Sequence, residues 1–359
     1  MKNAIQALLI TLVFSALGIF GLLSLGKEFN PAEFSRTVQI HPLWAVIFVA
    51  SVVAWWLVAG WRIQLLANDK NVTLARATRA FLLYLFGAST TPSASGANVA
   101  MAWYLSQYTD SRRATAVAIF SVSLDLVFYA YALPLSFAYL YFAGIDLHLP
   151  IIGSFLGVLV AMGTVVAIGL AYGVAYQAHR LEKLIFMICN LKFLKRFQRG
   201  ALRFIGETAD AMAQMRQLPF ATQVKLHFST FLNYTFHFAA ANLVLATLGY
   251  KVDDLGLIAA QILLVFFSFF IPTPGGAGYF EIVLGTSSSA LGIAKEAVVP
   301  FVLIWRVLSY YLYYLIGPFI GGAAVLAQAQ SAAQQQAQSA AQQQAQSANQ
   351  ATKTKEAKP

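Results

Sequence analysis

The sequence predicts an all-α integral membrane protein with about six transmembrane helices and two re-entrant hairpins in an inverted repeat. Of its 359 residues, 59% are hydrophobic and only 11% are charged, whereas about a quarter of a soluble domain is charged. The charges separate apolar stretches of roughly twenty residues or more, the length that a helix needs to cross the hydrocarbon. Two of these stretches are interrupted by proline and glycine. The apolar stretches cover residues 4–26, 43–66, 81–104, 114–141, 150–178, 224–248, 255–293 and 298–326.

The positive charges orient these segments, because Lys and Arg accumulate on cytoplasmic loops. The most basic stretch is 180–225, and residues 67–80 and 105–113 are also basic. If both flanks of segment 81–104 are cytoplasmic, this segment cannot cross the membrane once. We therefore predict that it enters and returns as a hairpin that opens to the cytoplasm.

Alternation along the chain places the remaining segments. Loops 142–149 and 249–254 are expected outside, and segment 255–293 is expected to form a second hairpin that opens outward. The first apolar segment is longer than the roughly 7–15 residues of a signal-peptide core, so we expect a retained helix. Both termini are then cytoplasmic, and a bacterial cytoplasmic membrane is the expected location.

The two interrupted segments carry matching breaks. Pro92 and Gly96 have the same spacing as Pro274 and Gly278, and equivalent residues are 182 positions apart (274 − 92 and 278 − 96). Two segments broken by glycine and proline at corresponding positions of two halves are typical of inverted-repeat transporters. A chance match between two proline- and glycine-rich segments is the alternative. The match predicts a transport site built from the two breaks.

Three charged residues within apolar segments stand out: Asp125, Glu281 and Arg306. An unpaired charge at mid-membrane costs at least about 2.5–3.5 kcal/mol, so such residues are candidates for function. Arg306 can lower this cost by pairing with Asp125 or with Glu281. Two interpretations follow: a structural ion pair that fastens the halves together, or an electrostatic site for a charged head group or for protons.

The second break, which reads PTPGGAGYFE from Pro272, is the most specific stretch of the chain. Its glycines permit positive φ and let a ligand approach bare backbone. A half-helix that starts near Tyr279 would direct free N–H groups at an anion such as phosphate, although a tight packed turn explains the same residues. The candidate site comprises Pro92, Gly96, Asn98, Asp125, Pro272, Pro274, Gly275, Gly276, Gly278, Glu281 and Arg306.

The stretch from Ile271 to Glu281, followed by WRVLSYY from Trp305 and by Gly317, resembles the lysylphosphatidylglycerol synthase transmembrane (flippase-like) family over about residues 5–326. The resemblance implies a membrane domain that moves lipids between leaflets, or a relative that carries another cargo. The full synthases join this domain to a soluble aminoacyl-transferase domain. Nothing after residue 326 resembles such a domain, so we expect no synthase activity.

The first break departs from the pattern of that family. An earlier family motif, a proline–glycine stretch that ends in an acidic residue and then an arginine, maps onto the stretch from Pro92 to Met101. Here Asn98 stands where the acid is usual, and Met101 stands near the usual arginine. Of a later arginine–aspartate pair only Asp125 is present, with Ser123 in the place of the arginine.

We expect one membrane domain over residues 1–326 and a tail over residues 327–359. Residues 180–223 mix basic and apolar residues as in an amphipathic helix at the anionic inner interface. The tail repeats AQSAAQQQ without an apolar stripe, which predicts disorder. Either the tail or the basic loop can bind a protein partner.

Motifs of enzymes and cofactor sites are absent from the sequence. There is no phosphate loop, HExxH or GxSxG motif, and the five His and one Cys have no metal-ligand spacing, so we expect neither catalysis nor a cofactor. The net charge of +10 is explained by cytoplasmic loops and anionic lipid rather than by nucleic acid. His237 is either a core residue or part of a polar path.

These observations favour a lipid translocase, in which anionic head groups pass a polar centre while the acyl chains stay in the bilayer. Two other functions remain open. One is a non-transporting membrane partner of an envelope or glycolipid-modifying enzyme, and the other is an ion-coupled carrier of small solutes.

Overall fold

The computed structural model describes residues 39–145, 147, 217–251 and 254–326, with a few isolated positions elsewhere. These residues form helices and contain no β-strand, as the sequence predicts for an all-α protein. The helices are α1 Pro42–Ala67, α2 Leu74–Thr90, α3 Ala97–Leu105, α4 Ser111–Phe142, α5 Phe220–Thr247, α6 Asp254–Ser268, α7 Tyr279–Ser287 and α8 Lys295–Arg306. After α8, a π-helical turn over Val307–Tyr311 leads into further helix up to Leu326.

Three helices within the described ranges are long and apolar enough to cross a membrane: α1, α4 and the continuous helix Lys295–Leu326. Helix α6 is apolar but only 15 residues long. The total of six crossings and the direction of each crossing stay predictions. Segments 4–26 and 150–178, the basic loop 180–223 up to residue 216, and the tail 327–359 lie outside the described ranges.

The first interrupted segment forms two helices, α2 and α3, which pack closely against each other. A Cβ atom on Gly87 of α2 would lie only 2.6 Å from the carbonyl oxygen of Gly96, which precedes α3. The nine residues of α3 rise by about 14 Å, which is less than half the thickness of a membrane. The chain therefore turns back at this break, and its depth in the bilayer stays a prediction.

Helix α2 begins at Leu74, seven residues before the apolar stretch that predicted it. The reason is local, because the Thr73 hydroxyl accepts a hydrogen bond from the Arg76 amide at 3.4 Å and so caps the helix. Arg76 and Arg79 consequently lie on the first turns of a helix rather than in a loop. The guanidinium of Arg76 stacks on the ring of Tyr108 at 4.4 Å, which fastens the start of α2 to the end of the hairpin.

The two breaks have the same backbone conformation. Ser93 and Ala94 have φ of 51° and 55°, and their equivalents 182 positions later, Gly275 and Gly276, have φ of 55° and 66°. The helices that follow, α3 and α7, both contain nine residues and start 182 positions apart (279 − 97). Helix α7 begins at Tyr279, as the glycines before it predicted.

The breaks also contact each other. Pro92 and Pro274 pair as an isolated antiparallel bridge, and the Ser93 hydroxyl donates to the carbonyl of Ile271 at 3.2 Å. The proline that ends the first half of each interrupted segment is thus directly opposite its equivalent. This meeting point joins the two halves of the chain at the centre of the fold.

Two apolar clusters support this centre. One cluster is built mainly by α4, α5, α6, α7 and α8, and the other mainly by α1, α2 and α3. The ring of Trp56 packs against both clusters, and its indole N–H donates to the Tyr313 hydroxyl at 3.3 Å. Trp56 thus links the two clusters, while Pro92, Ser93 and Pro272 of the breaks stay exposed.

Because the two breaks share a backbone conformation, an alanine-to-glycine change in the first and a glycine-to-alanine change at the equivalent position of the second should have opposite effects on stability. Ala94→Gly should stabilise the protein by about 0.5–1 kcal/mol, because relief of the left-handed backbone exceeds the added chain entropy. Gly276→Ala should destabilise it by at least about 1–3 kcal/mol, because the new Cβ would lie 2.7 Å from the Phe280 ring. Thermal unfolding in detergent, followed by tryptophan fluorescence, measures both. Midpoints that shift in the same direction would contradict a shared backbone.

Candidate functional site

A cavity of about 140 Å³ lies where the two breaks meet. Its wall includes the left-handed pairs of both breaks, together with side chains from α5, α8 and the π-helical turn. The polar residues and glycines among its lining are Ser89, Ser93, His237, Ser268, Gly275, Gly276, Arg306, Ser309 and Tyr310. Of the predicted site residues, Gly275, Gly276 and Arg306 line this cavity, whereas the first break contributes Ser93 and Ala94, which the sequence analysis did not select.

Arg306 and Glu281 form a buried ion pair beside this cavity. The Arg306 Nε atom lies 2.9 Å from Glu281 Oε1, and the two side chains are 3% and 1% exposed. The other carboxylate oxygen of Glu281 accepts the backbone N–H of Gly278 at 2.8 Å. The carboxylate therefore neutralises the arginine and also occupies the positive N-terminal end of α7. The sequence predicted a ligand anion such as phosphate at this helix end, whereas in the structure the chain's own Glu281 accepts the Gly278 N–H there.

Glu281 binds only the Nε atom of the Arg306 guanidinium and leaves the two Nη atoms available to other partners. Its Nη1 atom donates to the carbonyl of Gly275 at 3.3 Å, and its guanidinium lies 4.1 Å from the ring centre of Tyr310. Its Nη2 atom is buried and has no hydrogen-bond partner within the described ranges, and the same holds for the Ser309 hydroxyl. Buried polar groups normally have partners. Both residues line the cavity, so a small movement of either side chain would let a bound polar ligand or water satisfy these atoms.

Tyr310 connects the two breaks through its hydroxyl. The hydroxyl oxygen lies 2.9 Å from the carbonyl oxygens of both Ser89 and Pro274, and the neighbouring Tyr314 hydroxyl donates to Ser89 at 2.7 Å. Tyr310 lies in the π-helical turn, a feature found frequently at functional sites. The turn directly follows Arg306, so it brings the ion pair and the two breaks to one place.

Asp125 takes part in a separate ion pair. Its partner is Arg62 of α1, whose Nη1 atom lies 2.6 Å from Asp125 Oδ1. Sequence analysis did not select Arg62, although it is a charge within an apolar segment, because it is close to the basic end of that segment. On α4, Ser123 stands where the family motif has an arginine. Arg62, from α1, is the cation that pairs with Asp125 instead. Arg306 thus pairs with Glu281, and neither ion pair joins the two halves.

The predicted site residues fall into two groups. Those that meet at the centre are Pro92, Pro274, Gly275, Gly276, Gly278, Glu281 and Arg306. Gly96 donates its N–H to the Thr91 hydroxyl at 2.8 Å and so shapes the first break, and Pro272 lies within the second. Asn98 and Asp125 do not line the central cavity. Asn98 lies on α3 in a groove of about 570 Å³ against α4.

His237 lines the central cavity from α5, in agreement with the polar-path alternative. Its ring packs against Trp55, with 4.5 Å between ring centres. Sequence analysis could place it in an apolar helix but could not decide which side of that helix it occupies, because α5 has no sharp division between an apolar and a polar face.

The buried ion pair predicts strong coupling between its partners. Glu281→Gln and Arg306→Gln should each cost about 3–5 kcal/mol, because each leaves a buried group without its partner. The double variant should lose less than the sum, with a coupling of about 1–3 kcal/mol. Unfolding free energies from detergent titration measure this cycle.

The control for this cycle is the pair of Arg113 and Asp110, 3.8 Å apart with side chains 46% and 63% exposed. Their coupling should be at most about 1 kcal/mol. Additive losses at Glu281 and Arg306 would show that the two residues do not act as a pair.

The sequence model of the lysylphosphatidylglycerol synthase TM region matches residues 4–317. No curated protein and no solved structure matches the chain. The match covers most of the 359 residues and includes both breaks and both ion pairs. The family is membrane-embedded and flippase-like in general, and this TM region is its non-catalytic part. The chain therefore belongs to the lysylphosphatidylglycerol synthase TM region family.

Proposed function

We propose that this protein moves phospholipid, or another anionic lipid, between the two leaflets of a membrane. The head group passes the cavity between the breaks, while the acyl chains remain in the bilayer. The observation that carries the proposal is Arg306, which lines a cavity built by both breaks and whose Nη2 atom is buried without a hydrogen-bond partner among the described residues. A cationic donor in such a place suits the oxygens of an anionic head group.

The Glu281 carboxylate lowers the free-energy cost of placing Arg306 inside the membrane. A lone arginine at mid-bilayer costs at least about 2.5–3.5 kcal/mol. The pairing with Glu281 at 2.9 Å offsets most of that cost, and only one edge of the guanidinium is left to a ligand. The site thus holds an anion weakly enough to release it, which translocation requires.

The size of the cavity restricts what can enter it. A volume of about 140 Å³ corresponds to about five water molecules at roughly 30 Å³ each. This space accommodates a phosphate-sized group but not an acyl chain. The second break is flanked by Phe269 and Phe270, which are 40% and 71% exposed and offer an apolar surface to lipid chains.

The orientation of the protein belongs to the same proposal. The positive-inside rule places the starts of α2 and α4 at the cytoplasmic side, because Arg76, Arg79, Arg112 and Arg113 lie there. The chain then crosses a bacterial cytoplasmic membrane several times with both termini inside. The lipid head group would approach the centre along the two short helices.

Filling the cavity tests the proposal without breaking the ion pair. Ser309→Leu replaces an unpartnered hydroxyl with a larger apolar group, and Ala88→Leu adds a larger apolar group from α2. Each should slow lipid movement at least about tenfold, because the head group must then pass a partly filled cavity and about 1.4 kcal/mol of added barrier slows a rate tenfold. Ser289→Leu, at an exposed position outside the cavity, is the matched control.

The measurement uses liposomes that contain head-group-labelled phosphatidylglycerol. A quencher that cannot cross the bilayer is added outside the liposomes. Wild type and Ser289→Leu should lose outer and then inner label, whereas the two cavity variants should lose the inner label at least about tenfold more slowly. Wild type that behaves like empty vesicles would refute translocation. Cavity variants that match wild type would refute the assignment of the path.

A further inference from the structure

A second cavity, of about 900 Å³, opens where the C-terminal end of α1 meets the N-terminal ends of α4 and α5. It shares no lining residue with the central cavity. Its lining carries three cations, Arg112, Arg113 and Lys225, against one carboxylate, Asp110. The excess of two positive charges favours an anionic occupant.

Of these three cations, Arg113 already forms ion pairs with two carboxylates of the chain. Its guanidinium lies 3.4 Å from Asp69 and 3.8 Å from Asp110. Hydrogen bonds to Asp69 from the Asn71 amide and the Thr109 hydroxyl, together with the charge of Arg113, lower the pKa of that carboxyl. Asp69 therefore stays ionised at neutral pH and holds Arg113 in place.

Arg112 and Lys225 are both exposed and have no ion pair with any residue of the described part. They lie near the starts of two different helices, α4 and α5, and line the same cavity. Two such cations in one cavity suit an acidic group.

The cavity changes from basic to apolar along its depth. Arg112, Ala116 and Phe120 lie at four-residue intervals on one face of α4, so Phe120 is about 12 Å deeper than Arg112. Leu65 and Leu66, near the C-terminal end of α1, add apolar surface to the lining. A soluble anion would use only the basic mouth, whereas a phospholipid would use the basic mouth and the apolar wall together.

We infer that this cavity binds an anionic phospholipid of the cytoplasmic leaflet, with its phosphate between Arg112 and Lys225 and its first acyl segment beside Phe120. The inference goes beyond the proposed function, because binding here requires no movement of the lipid. It provides the protein with a preference for acidic membranes at a place separate from the central cavity.

Native mass spectrometry of the full-length protein in detergent tests this site with phosphatidylglycerol and phosphatidylcholine as probes. Wild type should bind phosphatidylglycerol more tightly. Arg112→Gln combined with Lys225→Gln should weaken that binding by roughly 30-fold, as expected for two basic contacts with an acidic head group. Lys251→Gln combined with Lys295→Gln removes the same charge from exposed positions elsewhere and should leave the binding unchanged.

Three outcomes would overturn the inference: equal affinity of wild type for both lipids, equal weakening by the control pair, or glycerol 3-phosphate binding as tight as that of the lipid. The last outcome would indicate a site for soluble anions. Ser309→Leu should retain phosphatidylglycerol at this site. Because binding is measured without translocation, failure here and failure of the liposome assay are distinguishable.

Discussion

A backbone group that leaves a helix at membrane depth must find its hydrogen-bond partner inside the protein, because hydrocarbon provides none. The two breaks of this chain meet that constraint with each other's help. The Thr91 hydroxyl accepts the Gly96 N–H within the first break, and the Ser93 hydroxyl donates to the Ile271 carbonyl beside the second break. The Tyr310 hydroxyl lies 2.9 Å from the carbonyl oxygens of both Ser89 and Pro274. Prolines have no N–H, so each break has fewer donors to satisfy.

Charge is placed around the breaks under the same constraint. Glu281 serves two positive groups at once, the Arg306 guanidinium and the N-terminal end of α7. In the other half, Asp125 relies on Arg62 from a different helix. The two breaks thus share a backbone conformation, but each half of the chain pairs its own buried carboxylate with its own arginine. Among the described residues, Arg306 of the second half is the one Lys or Arg that lines the central cavity, so the charge around that cavity is asymmetric.

Sequence analysis predicted those features of the fold that depend on local composition. Proline and glycine marked both breaks, their spacing marked the equivalence of the halves, and the glycines before Tyr279 marked the start of α7. Hydropathy placed the start of α2 too late, because one Thr73 side chain decides it. The partner of Asp125 was missed because packing between α1 and α4 is not visible in either segment alone.

The central claim is that the two breaks touch, and a disulfide test measures it most directly. Cysteines would replace Ser93 and Thr273, next to the bridged prolines, in a chain whose single cysteine, Cys189, is serine. Opposite residues in an antiparallel pair have Cα atoms about 4.5–5.5 Å apart, within the range that a disulfide spans. With a protease site inserted between the halves, oxidation should keep the two fragments joined, and a pair at Ser93 and Ser289 should not. Fragments that separate equally in both cases would contradict the account.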